Sequence, residues 1–187
     1  MYFESLQKIL LPELSEYKAT EAAETFYATG NLRPLCDYIG QRLAILDNRD
    51  YIEANELMVK AVFLSVLFND LDYIIDSELE LERGYADLVM IIRPDKRPNI
   101  WLDHLIEFKY VKLGDIKLSG AQIREKSDEQ VHNLDAVNNM VDAAKTQLTC
   151  YRKVLEKKYG NLIRLHTHVV VAVGFERLVW EEVSDGI

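Results

Sequence analysis

The spacing of apolar residues changes period several times along this chain, and the resulting order of segments restricts the fold more than any other feature. From Asp50 to about Phe68 the residues Leu57, Met58, Ala61, Val62, Leu64, Val66, Leu67 and Phe68 cover nearly every face of a helix. A helix that apolar is expected against a sheet. Asp50-Tyr51-Ile52-Glu53 has the form of a capping box and is expected to open it. The period then falls to two. Ile75, Ser77, Leu79 and Leu81 are expected on one face of a strand, and Asp76, Glu78, Glu80 and Glu82 on the other. Gly84 breaks the run, and Ala86–Arg93 reads as the second arm of a hairpin.

A turn-rich link, Arg93 to Asn99, leads to a third strand at about Leu102–Val111. Gly114 and Gly120 flank a polar loop. Ser127-Asp128-Glu129-Gln130 is a second capping box, and one long helix is expected from there toward Tyr159. Its stripe is Val137, Val141, Ala144, Leu148, Tyr151 and Leu155. Thr167–Val173 is a β-branched run typical of a buried strand, and Leu178–Val183 reads as a last one.

Before this core the chain is helical. Thr20–Thr29 has apolar residues at Ala22, Ala23, Phe26 and Tyr27, and Gly30 fits its end. Asn31 can cap a second helix, with Pro34 in its first turn and Leu35, Tyr38, Ile39, Leu43 and Leu46 on one stripe. The expected organisation is a helical lead-in over 1–49 and an α-β-β-β-α-β unit over 50–187, an α/β fold with a mixed sheet flanked by helices. No Gly-rich nucleotide-binding motif is present.

Three charges interrupt otherwise apolar strands. Asp87 lies in Tyr85–Ile92, and Glu107 and Lys109 lie in His104–Val111. Strand alternation puts Glu107 and Lys109 on one face, with Phe108 opposite. An unpaired charge in a sheet is costly, so these groups are expected to meet one another or a metal ion. Two carboxylates on adjacent strands suit a hard cation such as Mg²⁺, and a nearby lysine can orient an attacking water and offset phosphate charge. A structural ion pair of Lys109 with one acid is the plainer alternative.

These residues resemble a known family. Asp87, followed by Glu107-Phe108-Lys109, is similar to the D…(D/E)-x-K pattern of the PD-(D/E)XK nuclease superfamily, whose fold is restriction-endonuclease-like. The run from Ser77 to Leu88 followed by Leu105–Lys112 looks like the bacterial nuclease-like domains found C-terminal to AAA-ATPase-like domains. The likeness takes in Asn55-Glu56-Leu57, Gln147-x-x-x-Tyr151 and the helical lead-in from about Leu14. It implies that Asp87 and Glu107 bind Mg²⁺ or Mn²⁺, that Lys109 is the catalytic lysine, and that Glu56 supports a metal. Gln147 and Tyr151 match a glutamine and a tyrosine one helical turn apart, and Glu78 or Glu80 an acid on the hairpin. Two departures stand out: Ala86 replaces the name-giving proline, and Tyr85 stands where many relatives have arginine.

Composition bounds the partners. The chain has 187 residues with 22 Lys+Arg, 31 Asp+Glu and a net charge of -9, which argues against coating nucleic acid by bulk charge. The acidity is concentrated before Lys109. Lys112, Lys117, Arg124 and Lys126, with Lys145, Arg152, Lys153, Lys157 and Lys158 on the long helix, are the candidate phosphate-facing residues. Cys36 and Cys150 read as small buried residues of a reduced compartment, and a membrane-spanning run and a signal peptide are both absent from the pattern, so a cytoplasmic location is expected. His166 and His168 are expected to alternate on a strand edge, where they could bind metal, but no paired Cys or His has zinc-site spacing. Three functions remain open: a metal-dependent nuclease, a catalytically silent interaction module of an ATPase-associated protein, and an enzyme acting on mononucleotides. Nothing in the sequence sets an oligomeric state.

Overall fold

A computed structural model describes residues 16–45, 55–81, 84–98 and 101–183. Two helices open it, α1 (Glu16–Thr29) and α2 (Arg33–Leu43), followed by α3 (Glu56–Leu67). The hairpin β1 (Tyr73–Leu81) and β2 (Gly84–Ile92) leads to β3 (Asp103–Val111). Two short helices, α4 (Gly120–Arg124) and α5 (Asp128–His132), precede the long α6 (Asp135–Tyr159), β4 (Leu165–Val173) and β5 (Arg177–Glu182).

The five strands form one sheet in the order β1-β2-β3-β4-β5. Only β3 and β4 run parallel, and the segment carrying α4 to α6 makes the crossover between them. Each face of the sheet has its own core. On one, Leu88, Met90, Ile106, Phe108, Val170 and Ala172 meet Phe26, Leu35 and Phe63 of the first three helices. On the other, Val89, Ile91, Leu105, Val169 and Val171 meet the α6 stripe. Among the described residues no helix is long and apolar enough to cross a membrane.

Several sequence expectations are corrected. The capping box at 50–53 does not open α3; the helix begins at Glu56, where the Asn55 side chain accepts from Met58 N at 3.0 Å, and residues 46–54 lie outside the described residues. The helix expected from Ser127 to Tyr159 is two. The Ser127 box caps only α5, and Leu134 is extended at ψ 130° before α6 begins. That break lets Val131 turn into the core beneath α6. Cys150 is exposed, because it lies off the buried stripe. β4 is an interior strand flanked by β3 and β5, so its histidines are not at a sheet edge.

The alternation expected along β1 also fails. Tyr73 and Ile75 pack on the α1–α3 side, but Leu79 and Leu81 pack on the α6 side. The switch falls at Glu78, whose φ is +65°, a value that L residues rarely adopt. The hairpin register continues across it without an inserted residue, from Ser77 opposite Leu88 to Leu79 opposite Ala86.

Three buried polar side chains, Asp103, His104 and His168, fix the start of the parallel pair. Asp103 Oδ1 accepts from Ile92 N at 2.8 Å, and its Oδ2 accepts from Arg97 at 2.7 Å and Arg164 N at 2.8 Å. One carboxylate thus ties the end of β2, the following turn and the approach to β4. His104 and His168, both fully buried, face each other at 3.4 Å between Nδ1 and Nε2, and Phe26 stacks on His104 with ring centroids 4.0 Å apart. Burial, joined by the charges of His168 and His166, holds His104 well below the usual histidine range; burial pushes His168 down to about 3.

Two predictions follow from this packing. A Cβ at Gly84 would stand 2.6 Å from the Tyr151 hydroxyl oxygen. Gly84→Ala should therefore lower unfolding free energy by about 1–3 kcal/mol, and most of that loss should return in a Tyr151→Phe background. The histidines are neutral when folded but take up protons below pH 6.5 when unfolded, so stability should be lost as pH falls from 6.5 toward 3. Glu107, raised to about 7, opposes this over the same range, so the histidine is isolated by difference: in urea titrations the stability change from pH 7.5 to pH 5 should be less destabilising by about 2 kcal/mol in His168→Gln than in wild type.

Candidate active site

Cross-strand register brings the acids into one row. The β1–β2 register places Glu78 opposite Asp87, and the β2–β3 register places Asp87 opposite Glu107. The β2–β3 ladder holds only three pairs, from Leu88 with Ile106 to Met90 with His104, and stops just short of this row. Where it stops, the Phe108 N–H donates to Asp87 Oδ2 at 2.9 Å. A side-chain carboxylate thus takes the place of a strand carbonyl, which satisfies the Phe108 N–H and fixes Asp87 at once.

Glu107 is 2% exposed. Its Oε1 accepts from Lys109 Nζ at 2.7 Å, while its Oε2 is buried without a hydrogen-bond partner. Burial pushes the Glu107 carboxyl up to about 7; the Lys109 hydrogen bond and charge and the Asp87 backbone N–H oppose this, and the charge of the Asp87 carboxylate adds to it. Burial works to lower the Lys109 ammonium, but its hydrogen bond to Glu107 and the charges of Glu107, Glu56 and Asp87 hold it above the usual lysine value.

The first turn of α3 faces the same place. Glu56 is raised by burial and by Asp87, against the pull of Lys109 and Lys60, so all three charged groups act on it. Lys60, one turn further on, is 5% exposed. Its ammonium donates to Glu78 Oε1 at 2.9 Å and stands 3.6 Å from Asp87 Oδ1. Lys60 was not among the residues anticipated from sequence. It is the one charged residue in the stretch Leu57–Leu67, which is apolar apart from it and Ser65, four positions after Glu56, and that spacing was the available signal.

Asp87, Glu107, Lys109 and Glu56 therefore act on one another, and Glu78 is linked to them through Lys60. Glu80 does not join them: it is exposed and opposite Tyr85. Tyr151 is buried under α6, with its hydroxyl against Gly84 at the start of β2. Gln147 is half-buried one turn earlier and makes no hydrogen bond to the acids. Lys112 and Lys117 are exposed, whereas Arg124 pairs with Glu176 and Lys126 gives its carbonyl to Arg177. On α6, Lys145 pairs with Glu181 at 2.5 Å and Arg152 with Glu156 at 2.8 Å.

Residues 54–176 match the family model described as the PD-(D/E)XK nuclease superfamily. The chain belongs to that superfamily. A search of curated proteins returns no match. The mixed five-stranded sheet flanked by helices is the restriction-endonuclease-like α/β fold. PD-(D/E)XK nucleases are typically dependent on divalent metal. The donors here suit such an ion: hard carboxylate oxygens, one of them buried and unpartnered. Among the described residues no three His, Cys, Asp or Glu side chains already converge as a coordination shell. The acids are instead held by two ammonium groups.

The Glu107 carboxyl should titrate with a midpoint near pH 7 in carbon-13 NMR. In Lys109→Met the midpoint should rise by about one unit or more, because the hydrogen bond that favours the ionised form is gone.

Proposed function

We propose that this chain is a metal-dependent nuclease that hydrolyses phosphodiester bonds of nucleic acid. The observation that carries the reading is the partnerless, buried Oε2 of Glu107, set in the row with Asp87 while Lys109 holds the other oxygen. In this reading Asp87 and Glu107 hold Mg²⁺ or Mn²⁺, and Glu56 supports it from α3. The ion, once bound, would polarise the phosphoryl oxygen and lower the pKa of a coordinated water.

The side chains do the remaining work. Glu107 must be ionised to serve as a ligand, so the site gains capacity as pH rises through about 7. Lys109 keeps its proton at neutral pH, and from Glu107 its ammonium can orient the attacking water and offset charge on the phosphate. The Phe108 N–H keeps Asp87 aimed along the row. Tyr151 has a supporting part, bracing the strand that carries Asp87, whereas Gln147, half-buried one turn earlier on α6, and the exposed Glu80 make no hydrogen bond to the acids. Lys112 and Lys117, both exposed, and Lys126, of which only the carbonyl is engaged, are the cations best suited to a strand of nucleic acid, ahead of Arg124, whose guanidinium pairs with Glu176. The functional unit extends over about 50–187, the described helices of the 1–49 lead-in, α1 and α2, pack against it, and an ATPase-like partner region suits it.

The Lys60 ion pair favours a second reading. An ammonium 3.6 Å from Asp87 competes with a metal, as expected of a silent interaction module that keeps the fold. Incubation with single- and double-stranded DNA and RNA in Mg²⁺ or Mn²⁺ separates the two. The nuclease reading expects cleavage that rises through pH 7 and falls at least about 100-fold in Asp87→Ala and Lys109→Ala. Cleavage that survives both substitutions, or no cleavage of any of these polymers, would sink it.

A further inference from the structure

The acid row carries more positive charge than its strands supply, and the excess comes from a helix. Lys60 projects from a helix whose other residues after the first are apolar except Ser65, and ordering a buried lysine there costs desolvation. What it receives in return is the Glu78–Asp87 pair. Glu78 in turn is held at φ +65°, a conformation costing on the order of 1 kcal/mol or more, in the very place where its carboxylate reaches Lys60. The pair is asymmetric: Asp87 is largely enclosed, whereas Glu78 opens to solvent, with side-chain exposures of 14% and 61%. Lys60 has a flexible stem and one partner at the surface, so its ammonium can swing outward with Glu78 while Asp87 stays bonded to Phe108 N.

We propose that Lys60 is a positioning residue that acts as a built-in counter-cation. In the metal-free protein it neutralises Asp87 and Glu78, and it withdraws toward Glu78 when a divalent ion enters beside Asp87. The inference rests on the metal-binding reading above. It says that Lys60 sets the affinity for metal: it stabilises the empty site and weakens the filled one, because an ammonium repels the incoming ion. Glu78 is then the residue that draws Lys60 away.

The test is Mn²⁺ binding by calorimetry and thermal unfolding with and without Mn²⁺, on the full chain. Lys60→Met keeps the stem and fits an apolar helix. It should melt lower than wild type without metal, bind Mn²⁺ roughly tenfold tighter, and show a larger Mn²⁺-induced rise in Tm. Glu78→Gln should change affinity in the opposite sense, binding Mn²⁺ several-fold more weakly. Should Lys60→Met fail to fold, Lys60→Gln carries the same expectations. A purely structural Lys60 would lower the Tm of both forms equally and leave Mn²⁺ affinity unchanged; that result, or weaker binding in Lys60→Met, overturns the proposal. Absence of Mn²⁺ binding in wild type, or binding undiminished by Asp87→Ala, overturns the metal reading itself.

Discussion

Everything distinctive about this site depends on the hydrogen bond from Phe108 N to the Asp87 carboxylate. Strands β2 and β3 pair over three residues and then part, and an unsatisfied N–H at the parting would be expensive in a buried sheet. Asp87 supplies the missing acceptor. By doing so it fixes its own direction, holds the strands at a set separation and leaves room for Glu107 on one side and Lys60 on the other. One interaction thus serves the fold and the row together.

Two buried carboxylates on β3 mark the difference between structure and site. Asp103 and Glu107 are four residues apart and almost equally inaccessible. Asp103 is saturated by three donors drawn from three segments. Glu107 has the Lys109 ammonium on one oxygen and the Asp87 backbone N–H acting on it, and its Oε2 makes no hydrogen bond. Buried polar atoms are normally satisfied, so an exception in the same strand as a saturated neighbour reads as capacity kept for a ligand. The net charge of -9 looked adverse to a nucleic-acid partner, but the acids that matter are a handful, and two lysines already share them.

Much of this was legible in the sequence. Charges inside apolar strands announce themselves, and strand alternation alone put Glu107 and Lys109 together. The hairpin, the α6 stripe and the β4 run follow from periodicity. The rest was hidden for physical reasons. Glu78 turns β1 over through a left-handed backbone that no residue type signals except glycine or asparagine. Leu134 breaks a helix without proline or glycine. Cys150 is exposed because the stripe beside it takes the core. Lys60 was hidden by its setting: in a helix apolar on almost every face, a single lysine reads as a solvated tip until its partners are located.

The unequal ladders have a consequence for how the molecule assembles. β1 and β2 are neighbours in sequence and close locally, whereas β3 must wait for β4, some sixty residues away, to complete a pairing that runs from Asp103 with Leu165 to Val111 with Val173. The hairpin and the parallel pair are therefore built on different schedules and joined at a seam three residues long. Asp87 belongs to the early piece and Glu107 to the late one. The acid row exists only where that seam is closed, so the site is complete only when the two pieces are joined.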